Sequence, residues 1–136
     1  VDGQAKVWPG ERILLYRNGK GLVFAIQMQC PHALAMLGGG EVEEYGDIEG
    51  LATSGPFVAC PSHTYVFDIS SGACITEPPE RCSPARTYPV HVGGGGEVYV
   101  GPLPNPVVDP GIPMELGHKV QNRLVEKGLD RMLSGQ

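Results

Sequence analysis

The chain has 136 residues, a formal net charge of −5, 20 glycines and 13 prolines. A chain of this length fits one domain around one modest core. The glycine and proline content indicates many turns and little long helix, which favours an all-β body. The acidic balance, without a block of Lys and Arg, argues against a nucleic-acid partner.

The chain contains no run of about eighteen apolar residues, and no basic segment followed by an apolar stretch at its start. The sequence therefore predicts neither a membrane span nor a secretory signal. We expect a soluble, intracellular monomer, and nothing distinguishes the cytoplasm from an organelle. The chain opens on Val1 rather than Met, so the sequence leaves open a removed leader segment or a further domain.

Three pairs of short runs are rich in strand-forming residues and are separated by turn residues. In chain order, the paired runs are 12–17 with 22–27, 64–69 with 74–76, and 88–92 with 97–100. The intervening turns contain Asn18-Gly19, Ser70-Ser71-Gly72 and four consecutive glycines at 93–96. Short strands joined in this way predict a small antiparallel sandwich or barrel.

The C-terminal part has a different character. Residues 102–113 are rich in proline and are predicted to run extended, because each proline fixes φ and lacks an N–H donor. Residues 114–133 are predicted to form a helix with two apolar stripes, which Gly117 and Gly128 weaken. The stripes consist of Leu116, Val120 and Leu124, and of Val125, Leu129, Met132 and Leu133. The helix either packs on its own domain or docks a partner, and the sequence leaves both open.

Two short motifs carry the chemistry, Cys30-Pro31-His32 and Cys60-Pro61-Ser62-His63. Four cysteines in a short chain could form two disulfides, but mainly in secreted domains. Cys30 and Cys60 each lie beside a proline and a nearby histidine, which indicates metal ligation. Iron favours thiolates and neutral imidazoles, so two such loops can hold one site from both sides.

In an extended loop, Cys30 and His32 would lie about 6 to 7 Å apart, which suits two neighbouring metals better than one. Cys74 and Cys82 lack a neighbouring histidine and are interpreted as small buried residues rather than a disulfide or redox pair. His91 and His118 are interpreted as surface histidines.

The paired motifs resemble those of the Rieske family, in which Cys-x-His and Cys-x-x-His bind a [2Fe-2S] cluster. The continuation at 64–72, the Pro78-Pro79 pair and the closing strands are also similar to the family, so the resemblance covers residues 5–101. It implies a Rieske-type antiparallel fold with two cluster-binding loops and a C-terminal helical tail. It also implies that Cys30 and Cys60 hold an inner iron, while His32 and His63 hold an outer iron with their second nitrogens facing solvent.

The sequence departs from the family in several places. Residues 38–44 are extra and are interpreted as a tolerated surface insertion rather than a specificity loop, whereas 46–49 resemble soluble Rieske ferredoxins of animals. Thr64 stands where glycine is common. Ala35 and Ser62 occupy the places of the disulfide cysteines of cytochrome-complex Rieske proteins, so that bridge is absent. Tyr65 and Phe67 replace the Ser and Tyr of high-potential members, which predicts a low reduction potential.

Three functional interpretations follow. The favoured one is an electron carrier, not itself an enzyme, that passes one electron between a reductase and an acceptor such as an oxygenase. The alternative is the Rieske domain of a larger oxygenase, although this chain offers no second histidine pair for a mononuclear iron. A structural zinc site is the third.

We divide the chain into a Rieske [2Fe-2S] domain, 1–101, and a Pro-rich segment with the helix, 102–136. Because all four ligands precede Pro102, residues 114–136 are predicted to be removable without loss of the cluster.

Overall fold

The computed structural model describes residues 3–6, 12–32, 35–51, 54–62, 64–78 and 80–133. These residues form an antiparallel β body followed by one α-helix, which confirms the predicted fold class. The elements are β1 (Gly3–Lys6), β2 (Arg12–Arg17), β3 (Val23–Gln27), a 3-10 helix (Leu37–Gly39), β4 (Val42–Glu43), β5 (Phe57–Ala59), β6 (Val66–Asp68), β7 (Thr87–Tyr88), β8 (Val90–Val92), β9 (Val98–Val100) and α1 (Met114–Leu133). No helix in these ranges is long and apolar enough to cross a membrane.

The strands form two larger sheets and one hairpin in the described ranges. The first sheet has the order β1-β2-β3-β7, the second has the order β4-β5-β6, and β8 pairs with β9. The predicted first hairpin is β2-β3, and the Asn18 side chain closes its turn by accepting the N–H groups of Lys20 and Leu22, each at 2.9 Å. These local hydrogen bonds of the Asn18 side chain explain why the sequence predicted the turn.

Two predicted strands differ in the structure. The return strand at 74–76 is reduced to a single bridge between Phe67 and Cys74. The strand expected over 88–92 is divided at Pro89 into β7 and β8, which join different sheets. Proline has no N–H to donate, so a strand that contains it cannot continue an unbroken ladder.

The helix α1 has the predicted bounds and covers the second sheet. Val120 and Leu124 are 0% and 1% exposed and belong to one buried cluster. The other members of this cluster are Tyr45, Ile48, Leu51, Phe57, Ala59, Val66 and Ile75. The stripe that contains Leu129 faces solvent. Thus α1 packs on its own β body, as one of the two alternatives had it, and this packing argues against a dispensable tail.

Gly117 serves that packing rather than weakening the helix. A Cβ atom at Gly117 would lie 1.8 Å from the carbonyl oxygen of Ile75, so only glycine allows α1 to approach this closely. A Cβ at Gly128 would meet nothing nearer than 3.5 Å. Close packing of α1 therefore requires glycine at 117 but not at 128.

The inserted segment 38–44 is tied to the body as well. Its residues Val42 and Glu43 form β4, which pairs with β5. Lys127 of α1 donates to the carbonyl oxygen of Val42 at 2.8 Å and approaches the Glu43 carboxylate at 3.1 Å, while Arg131 forms an ion pair with Glu41. The segment therefore belongs to the second sheet and contacts α1. A surface insertion would need neither contact.

Candidate metal centre

Two loops with the same closure carry the predicted ligands. The first ligand loop, 30–35, follows β3, and the second ligand loop, 60–65, joins β5 to β6. The Cys30 N–H donates to the carbonyl oxygen of Ala35 at 2.9 Å, and the Cys60 N–H donates to that of Tyr65 at 2.7 Å. Each loop thus begins at its cysteine, and a hydrogen bond from the N–H of that cysteine closes it five residues later.

The two loops place their cysteines inside and a histidine at the rim. Cys30 and Cys60 are 2% and 0% exposed and lie in one buried cluster, with neither forming a disulfide. His32 is exposed, and its ring lies 4.5 Å from the ring of Tyr65 in the second ligand loop. His63 lies outside the described residues.

The available donors have the chemistry that a Rieske cluster uses. Among the described residues, no group of three or more His, Cys, Asp or Glu side chains is arranged to hold one metal ion. A Rieske cluster instead takes two thiolates on one iron and two imidazoles on the other. Two buried, unbridged thiols with an exposed imidazole beside them match that division of ligands.

Cys82 lies in the same buried cluster as the two predicted ligand thiols, which the sequence did not reveal. It is 3% exposed and shares the buried cluster of Cys30 and Cys60. Burial, and then the neighbouring Cys74 thiol, raises the pKa of Cys82, so it stays protonated at neutral pH. The Cys82 N–H donates to the carbonyl oxygen of Pro78 at 3.2 Å, which closes a turn before Cys82. Pro79 lies outside the described residues. Cys74 and Cys82 are both free thiols.

Thr64 is the residue of the second ligand loop with an unusual backbone. Its φ is 57°, in the left-handed region that β-branched residues rarely adopt. Its carbonyl oxygen and its hydroxyl both receive the side-chain amide of Gln121 from α1. The sequence marked Thr64 as a departure from a common glycine, but it gave no signal for Gln121.

The two remaining histidines behave as surface residues. His91 is exposed on β8, with its ring 6.3 Å from that of Tyr99. His118 is exposed on α1, and its Nε2 lies 3.0 Å from the carbonyl oxygen of Thr76. Neither residue belongs to a ligand loop.

Fold and site together define a class, an antiparallel β protein with two loops that each begin at a buried cysteine, the first of which also presents an exposed histidine. The profile of the Rieske [2Fe-2S] domain matches residues 2–89. The chain belongs to this family, and the family implies a [2Fe-2S] cluster.

Among known proteins, the chain resembles ferredoxins of dioxygenase systems and part of an oxygenase subunit. It is 29% identical to the ferredoxin subunit of 3-phenylpropionate/cinnamic acid dioxygenase from Escherichia coli, over 69% of this chain and 77% of the relative. It is 31% identical to the oxygenase subunit of 5,5'-dehydrodivanillate O-demethylase from Sphingobium sp., over 71% of this chain but only 23% of that subunit. A solved ferredoxin of carbazole 1,9a-dioxygenase from Nocardioides aromaticivorans is 28% identical, with a TM-score of 0.58, over 76% of this chain and 86% of that one.

Proposed function

We propose that this protein is a Rieske-type ferredoxin, which holds one [2Fe-2S] cluster through Cys30, His32, Cys60 and His63. It passes single electrons from a reductase to an acceptor such as an oxygenase. The observation that carries the proposal is the burial of Cys30 and Cys60 beside an exposed His32. The similarity to ferredoxin subunits over most of their length supports the carrier role.

The protein residues have distinct tasks in this function. When bound, the cluster accepts and releases one electron. Cys30 and Cys60, both buried, keep water from the inner side of the site. His32 is exposed, so a partner can approach it closely. The Tyr65 ring packs against His32 and restricts the orientation of the imidazole.

The domain division belongs to the same proposal. Residues 1–101 would carry the cluster, and 102–136 would form a tail whose helix braces the second sheet. The packing of Val120 and Leu124 supports the bracing role of the tail.

A second candidate is the Rieske domain of a larger oxygenase. The match to the Sphingobium oxygenase subunit favours it, because this chain spans less than a quarter of that subunit. The intact mass of the native protein separates the two candidates. A ferredoxin would be close to the 14.5 kDa of this chain, whereas an oxygenase would require a further large domain.

Metal analysis of anaerobically purified protein tests the cluster. We expect two irons and two acid-labile sulfides per chain, with visible absorption that bleaches on one-electron reduction. His32→Ala should lose that absorption, because the metal holds the two loops together. His91→Ala is the matched control and should retain it, since His91 is exposed away from both loops. One zinc per chain, or an intact cluster in the His32 variant, would refute the ligand assignment.

A further inference from the structure

A side chain from the C-terminal helix reaches the second ligand loop. Gln121 lies in the second turn of α1, and its Nε2 donates to the carbonyl oxygen of Thr64 at 2.8 Å. The same Nε2 is 3.2 Å from the Thr64 hydroxyl. Thr64 directly follows His63 in the chain, so this contact acts on the segment next to a proposed ligand.

The loop needs an external restraint at this position. Thr64 has φ of 57°, where its Cβ crowds the backbone, and such a residue persists when its surroundings over-determine its conformation. Within the loop, the Thr64 N–H donates to the carbonyl oxygen of Cys60 at 2.7 Å. The Gln121 amide binds the carbonyl on the other side of the same residue, so both peptide groups that flank the Thr64 Cα are tied.

The helix can supply this restraint because its own position is fixed. Val120, the neighbour of Gln121, is 0% exposed, and Leu124 is 1% exposed one turn later. Gly117 allows the preceding turn to lie directly on the Ile75 carbonyl. The Gln121 amide is therefore held against the loop by buried packing on both sides.

We propose that Gln121 is a positioning residue, which holds Thr64 in its left-handed conformation and so sets the course of the second ligand loop after His63. The inference rests on the proposed function, since the loop matters because it carries two of the ligands. Residue 121 lies beyond the part of the chain that matches the family profile, 2–89. The helix thus adds a support that the matched domain does not contain.

Gln121→Met tests the proposal because it keeps the length of the side chain and removes the donor. Asn122→Met is the matched control, as Asn122 is the exposed next residue of the same helix. In the protein as purified, amide hydrogen exchange at Thr64 and Tyr65 should accelerate in the Gln121 variant. Chelator-driven bleaching of the visible absorption should be roughly two- to tenfold faster, as expected for one lost hydrogen bond. The Asn122 variant should match the wild type in both measurements.

A purely structural role would give a different pattern. If Gln121→Met sped up exchange equally across β5, β6 and the loop, or left Thr64 unchanged, the positioning role would be overturned. Exchange is measured with or without iron in the protein. A wild type without iron and sulfide would therefore refute the electron-transfer proposal, while the exchange data would still decide the role of Gln121.

A second background isolates the restraint on Thr64. Thr64→Gly keeps the carbonyl that Gln121 binds, and glycine adopts the left-handed conformation without a steric penalty. Gln121→Met should therefore accelerate exchange and bleaching less in the Thr64→Gly background than in the wild type. An equal effect in both backgrounds would overturn the claim that Gln121 holds Thr64 in this conformation.

Discussion

Replacement of Leu124 by alanine is expected to destabilise the whole domain and not only α1. Leu124 is 1% exposed and packs in the cluster that contains Phe57 and Val66 of the second sheet. Removing its isopropyl group forfeits about 2.4 kcal/mol of transfer free energy, at about 0.8 kcal/mol per buried carbon. The cavity left behind raises the total to roughly 3–5 kcal/mol. For a chain of this length, that lowers the midpoint of thermal unfolding by about 8–20 °C.

Leu129→Ala is the matched control, since Leu129 lies on the same helix but is 51% exposed. It should change the free energy of unfolding by no more than about 0.5 kcal/mol. Thermal unfolding of the iron-loaded proteins, at one fixed scan rate, is followed by circular dichroism and by visible absorption. Equal midpoints for the wild type and the Leu124 variant would refute the reasoning, and would support the sequence-based view that residues 114–136 can be removed.

Two further predictions concern the helix contact and the electron. Gly117→Ala should lower the free energy of unfolding by about 1–3 kcal/mol, because its Cβ would lie 1.8 Å from the Ile75 carbonyl oxygen. Gly128→Ala should raise that free energy by up to about 1 kcal/mol through helix propensity. Similar unfolding midpoints for the two variants would contradict this prediction. Phe67 has no hydroxyl, and the Tyr65 ring lies against the exposed His32, so we expect neither residue to donate a hydrogen bond to the cluster. Voltammetry should therefore give a reduction potential in the lower part of the roughly −150 to +300 mV Rieske range. This potential should not change with pH near neutrality. A reduction potential well above roughly +100 mV, or one that changes with pH, would show that another hydrogen-bond donor acts on the cluster.

The elements that the sequence predicted well are those with local causes. The β2-β3 hairpin follows from strand-forming runs on both sides of an Asn-Gly turn, and the Asn18 side chain closes that turn within four residues. The bounds of α1 follow from Pro113 before it and from the apolar periodicity of 114–133. The two Cys/His motifs were visible for the same reason, although the ligand set itself, with His63 outside the described residues, stays a prediction.

The predictions that failed depended on contacts outside the short run of residues that suggested them. A run at 74–76 has strand-forming residues, yet it makes a single bridge to β6, where the Thr76 hydroxyl rather than a backbone carbonyl accepts the Val66 N–H at 3.2 Å. The glycine at 117 looked unfavourable when only helix propensity was considered. Its value appears once Ile75, far away in the sequence, is known to lie against it.

By itself, the sequence predicted the chemistry of the site and determined most of the local elements, because donor atoms, turn residues and apolar periodicity act over a few neighbouring residues. Only the tertiary structure decided that α1 packs on the second sheet and that Gln121 reaches Thr64, a residue 57 positions earlier in the chain. Such contacts depend on how buried surfaces of separate elements fit together. That fit is a property of the whole packed domain, and a short stretch of sequence does not contain it.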